Sequence, residues 1–425
     1  MRFPILALIA LAGLRAEVRE LTLAEAADLA SKQNPSVLLS RLDEARAAQH
    51  VRAAGDPFRP KIFVGSGLAY SNGFPMSIEG SAPSIVQARS VASIYDRQKR
   101  LAAEQARQDS KTAGIEGHER RDEAVYRAID LYLDAERKGR LAEMASRQVE
   151  SSRKVEAAVK ARVDEGRELP VEAKRAALET AKTGHRLLEL RLDREQAEAA
   201  LALILGMPAG DLARPRGEER KAPELPESAE SAAGAALRSN RELSRMESTL
   251  TAKGFEIRSA RAAKLPKIDL VAQYALFAKF NNYEDFFQRF QRHNGQIGMS
   301  VQVPVLAGPA VDAAAARAEA EAAKLRIELG HARNRISTEA RRRFLEVQRA
   351  ESARQLARQA LEVARADLDV QLARFDEGRA AVKQVEEARL VENRKWMEYY
   401  DTQAAVERSR YSLLEQTGGL LAAVR

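Results

Sequence analysis

The sequence of 425 residues contains no cysteine, which excludes disulfide staples, thiolate metal sites, a cysteine nucleophile and a lipid anchor on an N-terminal cysteine. Aromatic residues make up 5% of the chain, with one Trp, so a broad aromatic core is excluded as well. The five histidines, His50, His118, His185, His293 and His331, are dispersed with no HExxH spacing, and no Gly-rich phosphate loop ending in Lys is present. Gly65-Ser66-Gly67 falls inside a strand pattern and not at a strand-to-helix elbow, so it supplies no nucleophile. No cofactor or metal is implied, and an enzyme is not expected. The formal charge of +8 is small beside 69 basic and 61 acidic residues, and no nucleic-acid partner follows from it. What is abundant is Ala, Glu, Arg and Leu, the composition of long helices that pack through narrow seams.

Arg2 precedes an apolar run from Phe3 to Leu14, too short for a spanning helix, which needs about 20 residues. With Ala16 as the residue before cleavage, 1–16 reads as a signal peptide, the alternative being a short buried helix. Nothing later supplies a longer apolar run, so an exported chain of this kind is either soluble or crosses a membrane as strands.

The rest of the chain is written twice. Asn34 and Asn240 precede similar helical stretches, and Pro60-Lys61-Ile62 recurs 206 residues later as Pro266-Lys267-Ile268. Arg162-Val163-Asp164-Glu165-Gly166-Arg167 recurs 212 residues later as Arg374-Phe375-Asp376-Glu377-Gly378-Arg379, and Gly206 recurs as Gly418. The predicted organisation is a first repeat over 17–205, an inter-repeat linker over 206–228 marked by Pro208, Pro215, Pro223 and Pro226, and a second repeat over 229–425. Each repeat reads as helix, two strands, a very long helix, a turn and a return helix. From Arg97 to Arg162 and from Gly308 to Arg374 there are almost no helix breakers, so each long helix runs roughly 100 Å. The tip turns, 164–167 and 376–379, place Gly where a helix ends in a left-handed cap. The fold class is therefore mainly α with a small β part, built on long antiparallel coiled-coil hairpins. Their alanine-rich seams bury little area, so stability must come from neighbouring hairpins, of the same chain or another.

Strands are expected at about 61–71, 84–95, 267–277 and 296–305. In the last, Ile297, Met299, Val301, Val303 and Val305 alternate with Gln296, Gly298, Ser300 and Gln302, leaving one greasy and one polar face. Two readings fit: a small soluble sheet with one wet face, or tilted outer-membrane strands. Four strands cannot close a barrel, so the second reading requires several chains sharing one wall. Loops over 71–83 and 278–295 would then face outside, the second carrying Phe280, Tyr283, Phe286, Phe287 and Phe290.

Leu21-Thr22-Leu23-Ala24-Glu25-Ala26 followed by Asn34-Pro35, Leu265-Pro266-Lys267-Ile268, Val303-Pro304-Val305 and the turn Asp376-Glu377-Gly378-Arg379 together resemble the TolC-like outer membrane efflux proteins, over nearly the whole mature chain. The resemblance implies a homotrimer in which four strands per chain form a shared 12-stranded outer-membrane β-barrel, continued by a periplasmic helical tunnel. It further implies a periplasmic adaptor (membrane fusion) protein and an inner-membrane pump or ABC transporter as partners, with outer membrane lipid around the barrel.

The family narrows its pore with acidic residues beyond the second tip turn. The matching steps here are Gln384 and Glu387, with Glu386 adjacent, and Glu172 and Arg175 in the first repeat. Phe375 stands where the family's best-known member uses a tyrosine hydroxyl to latch the tip, so a different contact must close it. Gly166, Arg167, Gly378 and Arg379 at the exposed turns are the candidates for adaptor docking, besides their capping role. The functional expectation is a passive outer-membrane conduit of a tripartite efflux or type I secretion system. The competing expectation is a periplasmic coiled-coil scaffold or adaptor whose strands form a small soluble domain.

Overall fold

The computed structural model describes residues 17–67, 84–218, 220–278, 291–305 and 308–424. The expected signal segment, the 71–83 loop and all but the ends of the 278–295 loop lie outside the described residues.

The first repeat contains β1 (Val18–Leu21), α1 (Leu23–Gln33), α2 (Pro35–Gly55), β2 (Lys61–Gly67), β3 (Ser84–Tyr95), α3 (Arg97–Asp164) and α4 (Pro170–Ile204). After β4 (Leu212–Pro215), the second repeat follows with α5 (Ala229–Ser239), α6 (Arg241–Ala262), β5 (Lys267–Phe277), β6 (His293–Gln302), α7 (Pro309–Asp376), α8 (Val382–Thr417) and the short α9 (Leu420–Ala423). The single opening helix expected in each repeat is two helices broken at Asn34 or Asn240. Local chemistry sets the boundaries. Thr22 and Glu25 form a reciprocal capping box at the start of α1: Thr22 Oγ1 accepts from the Glu25 amide at 3.2 Å, and the Glu25 carboxylate accepts from the Thr22 amide at 2.8 Å. Asn34 precedes Pro35, whose ring disfavours a helical residue before it, and Asn34 is extended at φ −56° and ψ 132°.

The chain divides into two compact units. One comprises residues up to 40, 117–241 and 332–425; the other comprises 41–116 and 242–331.

The first unit packs Leu21, Leu23, Ala27, Ile129, Tyr132, Leu201 and Leu205 into one core. The fully buried Tyr132 hydroxyl donates to the carbonyls of Leu21 and Arg216 at 3.2 and 3.1 Å. A parallel pairing of β1 with β4, in register Val18↔Leu212, was not legible in the sequence and occupies part of the segment read as a linker. Charged contacts tie the same segment down. Arg214 reaches the buried Glu198 carboxylate at 2.9 Å, and Arg220 reaches Glu136 and Glu407 at 2.6 and 2.7 Å.

Gly206 ends α4 with φ +73°, and a Cβ there would lie 2.5 Å from the Gln33 carbonyl oxygen at the end of α1. Gly378 has φ +74° with open space around it. The two positions share the left-handed conformation and differ only in the clash. Gly206→Ala is therefore expected to destabilise by about 3–5 kcal/mol, the left-handed strain plus forced displacement of backbone, whereas Gly378→Ala costs about 1–2 kcal/mol for strain alone. Denaturant midpoints of the two variants should differ accordingly; equal midpoints would show that α1 yields freely.

The second unit holds the four-stranded antiparallel sheet, ordered β2-β3-β5-β6. Gln108 of α3 donates to Ser248 Oγ of α6 at 2.8 Å, and Lys253 of α6 reaches Glu321 of α7 at 2.6 Å, so α6 is tied to the long helix of each repeat. Against the expected 296–305, β6 runs from His293 to Gln302. Pro304 has no amide to donate, so the ladder stops at the Lys267↔Gln302 pair, while Leu276↔His293 extends the other end.

Candidate functional site

The sheet is two-faced in three dimensions as well as in sequence. Register places Ile268 opposite Val301, Leu270 opposite Met299 and Ala272 opposite Ile297. Across β3, Ala92 stands opposite Leu270 and Ala88 opposite Tyr274, and Ile62 and Val64 of β2 continue the face through Ser90 and Ala88. The opposite face carries Gln87, Arg89, Ser93, Asp269, Gln273, Gln296 and Ser300, with Phe63, Val91 and Val271 among them. Ser93 Oγ donates to Asp269 Oδ1 at 2.6 Å on that polar side.

Nothing among the described residues covers the apolar face. Ile62, Val64, Ile297, Met299 and Val301 are between 60% and 77% exposed. A soluble domain would bury such a face against a helix or a second sheet. The outer strands β2 and β6 are paired on one side only, leaving two unsatisfied edges. Among the described residues no helix is long and apolar enough to cross a membrane.

The helical tips lie in the first unit. At each, a left-handed glycine is followed by a bond that closes the last turn: the Arg167 amide donates to the Arg162 carbonyl at 2.8 Å, and the Arg379 amide to the Arg374 carbonyl at 2.7 Å. Arg167 and Arg379 pair with Glu165 and Glu377 at 3.2 and 3.0 Å in exposed contacts that hold either side chain weakly.

Phe375 is buried at 3% exposure among Val159, Ala176, Leu368, Val382, Val385 and Ala388. The Arg162 guanidinium stacks on its ring, 4.0 Å from the centroid, and donates to the Phe375 carbonyl at 2.9 Å. Arg162 closes α3 and Phe375 closes α7, so this contact joins the ends of the two long helices.

The five candidate constriction residues divide into three settings. Gln384 lies in the first turn of α8, where its side-chain oxygen accepts from the Ala381 amide at 3.1 Å. Glu387 is exposed, with Lys383 at 3.8 Å. Glu386 points elsewhere, as the 100° step between neighbouring helical residues requires. It lines a small cleft with Ser152, Ala176, Glu179 and Arg389. Burial, and then the carboxylates of Glu179 and Glu172, push the Glu386 carboxyl above its ordinary value. Glu172 also pairs with Arg175 at 2.6 Å. Glu386 and Glu172 therefore belong to one acidic cluster, from which Glu387 and Gln384 stand apart. Sequence reasoning missed Glu179, one helical heptad beyond Glu172, and the buried Arg389, which donates to Ser151 Oγ at 2.9 Å. The seven-residue step was the available signal for Glu179; for Arg389 there was none.

Residues 232–419 match the family model described as outer membrane efflux protein. No curated protein sequence matches the chain. Among solved structures, CusC, described for its transmembrane channel formation, is 15% identical with a TM-score of 0.79, covering 97% of this chain and 95% of its own. The CmeC outer membrane channel of Campylobacter jejuni is 13% identical with a TM-score of 0.76, covering 94% and 86%. The outer membrane protein VceC of Vibrio cholerae is 16% identical with a TM-score of 0.75, covering 95% of each chain. At such identity the likeness is one of fold. The sequence match thus lies within the second repeat, whereas the likeness of fold to outer membrane channels extends over nearly the whole chain.

Proposed function

We propose that three copies of the chain form the outer-membrane channel of a tripartite efflux or type I secretion system, a passive conduit that docks to a periplasmic adaptor and, through it, to an inner-membrane pump or ABC transporter. The observation that carries this reading is the uncovered apolar face of the sheet between two half-paired edges. A lipid environment satisfies the face, and pairing of β6 with β2 of the next copy satisfies the edges, giving twelve strands in a closed barrel. A second observation supports self-association. Leu356, Val363 and Val370 repeat every seven residues along α7, and Leu178, Leu188 and Leu192 line α4, all about half exposed or more. Such heptad stripes suit helix packing between copies. A periplasmic scaffold would leave both the face and the stripes without a partner.

Outer-membrane fractionation tests the channel reading. A detergent-extracted trimer that dissociates on heating is the expected result, and a carbonate-soluble monomer would overturn it.

Within this channel Glu387 and Gln384 serve as the constriction, with the Glu386–Glu172 cluster and Arg175 nearby. Three Glu387 carboxylates around one axis attract multivalent cations. Glu387→Ala should raise single-channel conductance and weaken block by a trivalent cation about tenfold in bilayer recordings; undiminished block would remove Glu387 from the constriction.

The tip residues Gly166, Arg167, Gly378 and Arg379 serve adaptor docking. Because the arginines are held only by exposed pairs, reversal to Glu at both should change association far more than stability. Cross-linking to the adaptor is expected to fall at least tenfold with an unchanged melting temperature. Retained cross-linking would leave these residues with capping alone.

A further inference from the structure

A pocket of about 800 Å³ lies where β3 passes into α3, and nothing in the channel mechanism uses it. Five arginines line it: Arg52, Arg59, Arg97, Arg100 and Arg107. Arg107 is held by Glu104 at 2.5 Å, and Arg52 donates to Gln49 at 3.3 Å. The side chains of Arg59, Arg97 and Arg100 have no partner among the described residues, although most arginines of α3 are paired with carboxylates.

Their placement runs against the helix dipole. Arg97, Lys99 and Arg100 crowd the first turn of a 68-residue helix whose opening turn contains no acidic residue, at the end that repels cations. Asp96, 2% exposed, caps the helix through the Lys99 amide and pairs with Lys99 at 3.3 Å, which accounts for Lys99 and not for the other two. The two carboxylates that line the pocket, Asp96 and Glu104, are taken by Lys99 and Arg107, which leaves Arg59, Arg97 and Arg100 without a counter-charge among the described residues.

The apolar part of the lining identifies the anion's source. Ile94 and Tyr95 form part of its wall, both exposed, and Tyr95 stands opposite Ile268 at the end of the apolar face. The wall is thus apolar where it continues the lipid-facing surface and cationic where the chain leaves it for the periplasmic helices. A glycerophospholipid has that polarity, with acyl chains against Ile94, Tyr95 and Phe58 and a phosphodiester beyond them. Guanidinium groups bind phosphate oxygens through paired, charge-assisted hydrogen bonds, and an anion at the start of α3 also gains from the helix dipole.

We propose that this pocket binds the phosphate group of a phospholipid from the periplasmic leaflet of the outer membrane through Arg59, Arg97 and Arg100. The proposal rests on the outer-membrane reading and gives each protomer a bound lipid at the rim of the barrel.

The test titrates detergent-purified wild-type trimer with dihexanoyl phosphatidylglycerol and dihexanoyl phosphatidylethanolamine below their micellar concentrations, and separately with inorganic phosphate. Saturable binding of at least one phospholipid, with phosphate at least tenfold weaker, is the expected result. R59Q and R100Q should each weaken lipid binding about tenfold, while R349Q, at an exposed position on α7, leaves it unchanged. Equal affinity in all variants, absence of saturable lipid binding by the wild type, or phosphate binding as tight as lipid would overturn the proposal. Fractionation separates the two levels. A wild-type trimer in the outer membrane that ignores phospholipid sinks the pocket alone, whereas a wild-type protein absent from that membrane sinks the channel reading.

Discussion

Met299→Arg should abolish assembly in the outer membrane, whereas Gln296→Arg, three residues away on the same strand, should be tolerated. The two residues sit on opposite faces of β6, Met299 against Leu270 and Gln296 against Gln273. Arginine near the midplane of a lipid-facing strand costs about 2–4 kcal/mol, and a trimer carries that cost three times. The total is comparable to the whole stability of an ordinary domain, about 5–15 kcal/mol. Arginine at 296 would join Arg89 on the opposite face of the sheet, which faces water in the proposed channel, and keep its hydration. Heat-modifiable trimer in the outer membrane fraction is the readout, expected to be lost in the first variant and retained in the second. A soluble scaffold gives a different pattern, because both positions would then be solvent-facing and neither substitution would matter by more than about 0.5 kcal/mol. Retention of trimer in both variants would therefore remove the membrane role of the sheet.

That contrast was legible in the sequence because a strand advertises its faces locally. Ile297, Met299 and Val301 alternate with Gln296, Gly298 and Ser300, and period-2 patterning needs no knowledge of the partner strand. The long helices were legible for a similar reason: few glycines or prolines interrupt them, and the tip glycines mark where they stop. The pattern could not say whether the apolar face is covered. Only the structure shows Ile297 and Met299 open to their surroundings, the observation on which the proposed membrane wall rests. The β1–β4 pairing was invisible because each strand has four residues and the partners are separated by almost half the chain. The tip chemistry was half legible. The family resemblance singled out Phe375 and Glu386, but the stacking of Arg162 on Phe375 and the approach of Glu179 to Glu386 depend on how separate helices meet.

The Arg162–Phe375 contact carries the other large expected effect. In this chain the ring at the end of α7 has no hydroxyl, so it cannot latch the tip through a side-chain hydrogen bond of its own. The guanidinium of Arg162 stacks on the ring and donates to its backbone carbonyl. A partly desolvated cation–π contact is worth about 1–2 kcal/mol and a charge-assisted hydrogen bond about 1.5–3 kcal/mol. Losing both gives roughly 2.5–5 kcal/mol per protomer. If the closed tip is held by this contact in each of three protomers, Arg162→Ala should shift the population toward open, read as a conductance increase of tenfold or more in bilayers. Arg162→Lys keeps the charge but loses the planar stack, and should give an intermediate increase. Phe375→Tyr preserves ring and carbonyl and should stay closed. Phe375→Ala is a less clean probe, since emptying a buried aromatic site costs about 3–5 kcal/mol and loosens the packing of Val159, Leu368 and Val385 along with the latch. The decisive comparison is Arg162→Ala against Arg167→Ala, because Arg167 forms only an exposed pair with Glu165. Equal conductance in the two would assign closure to some other contact, whereas opening confined to the first would locate the latch where α3 and α7 end.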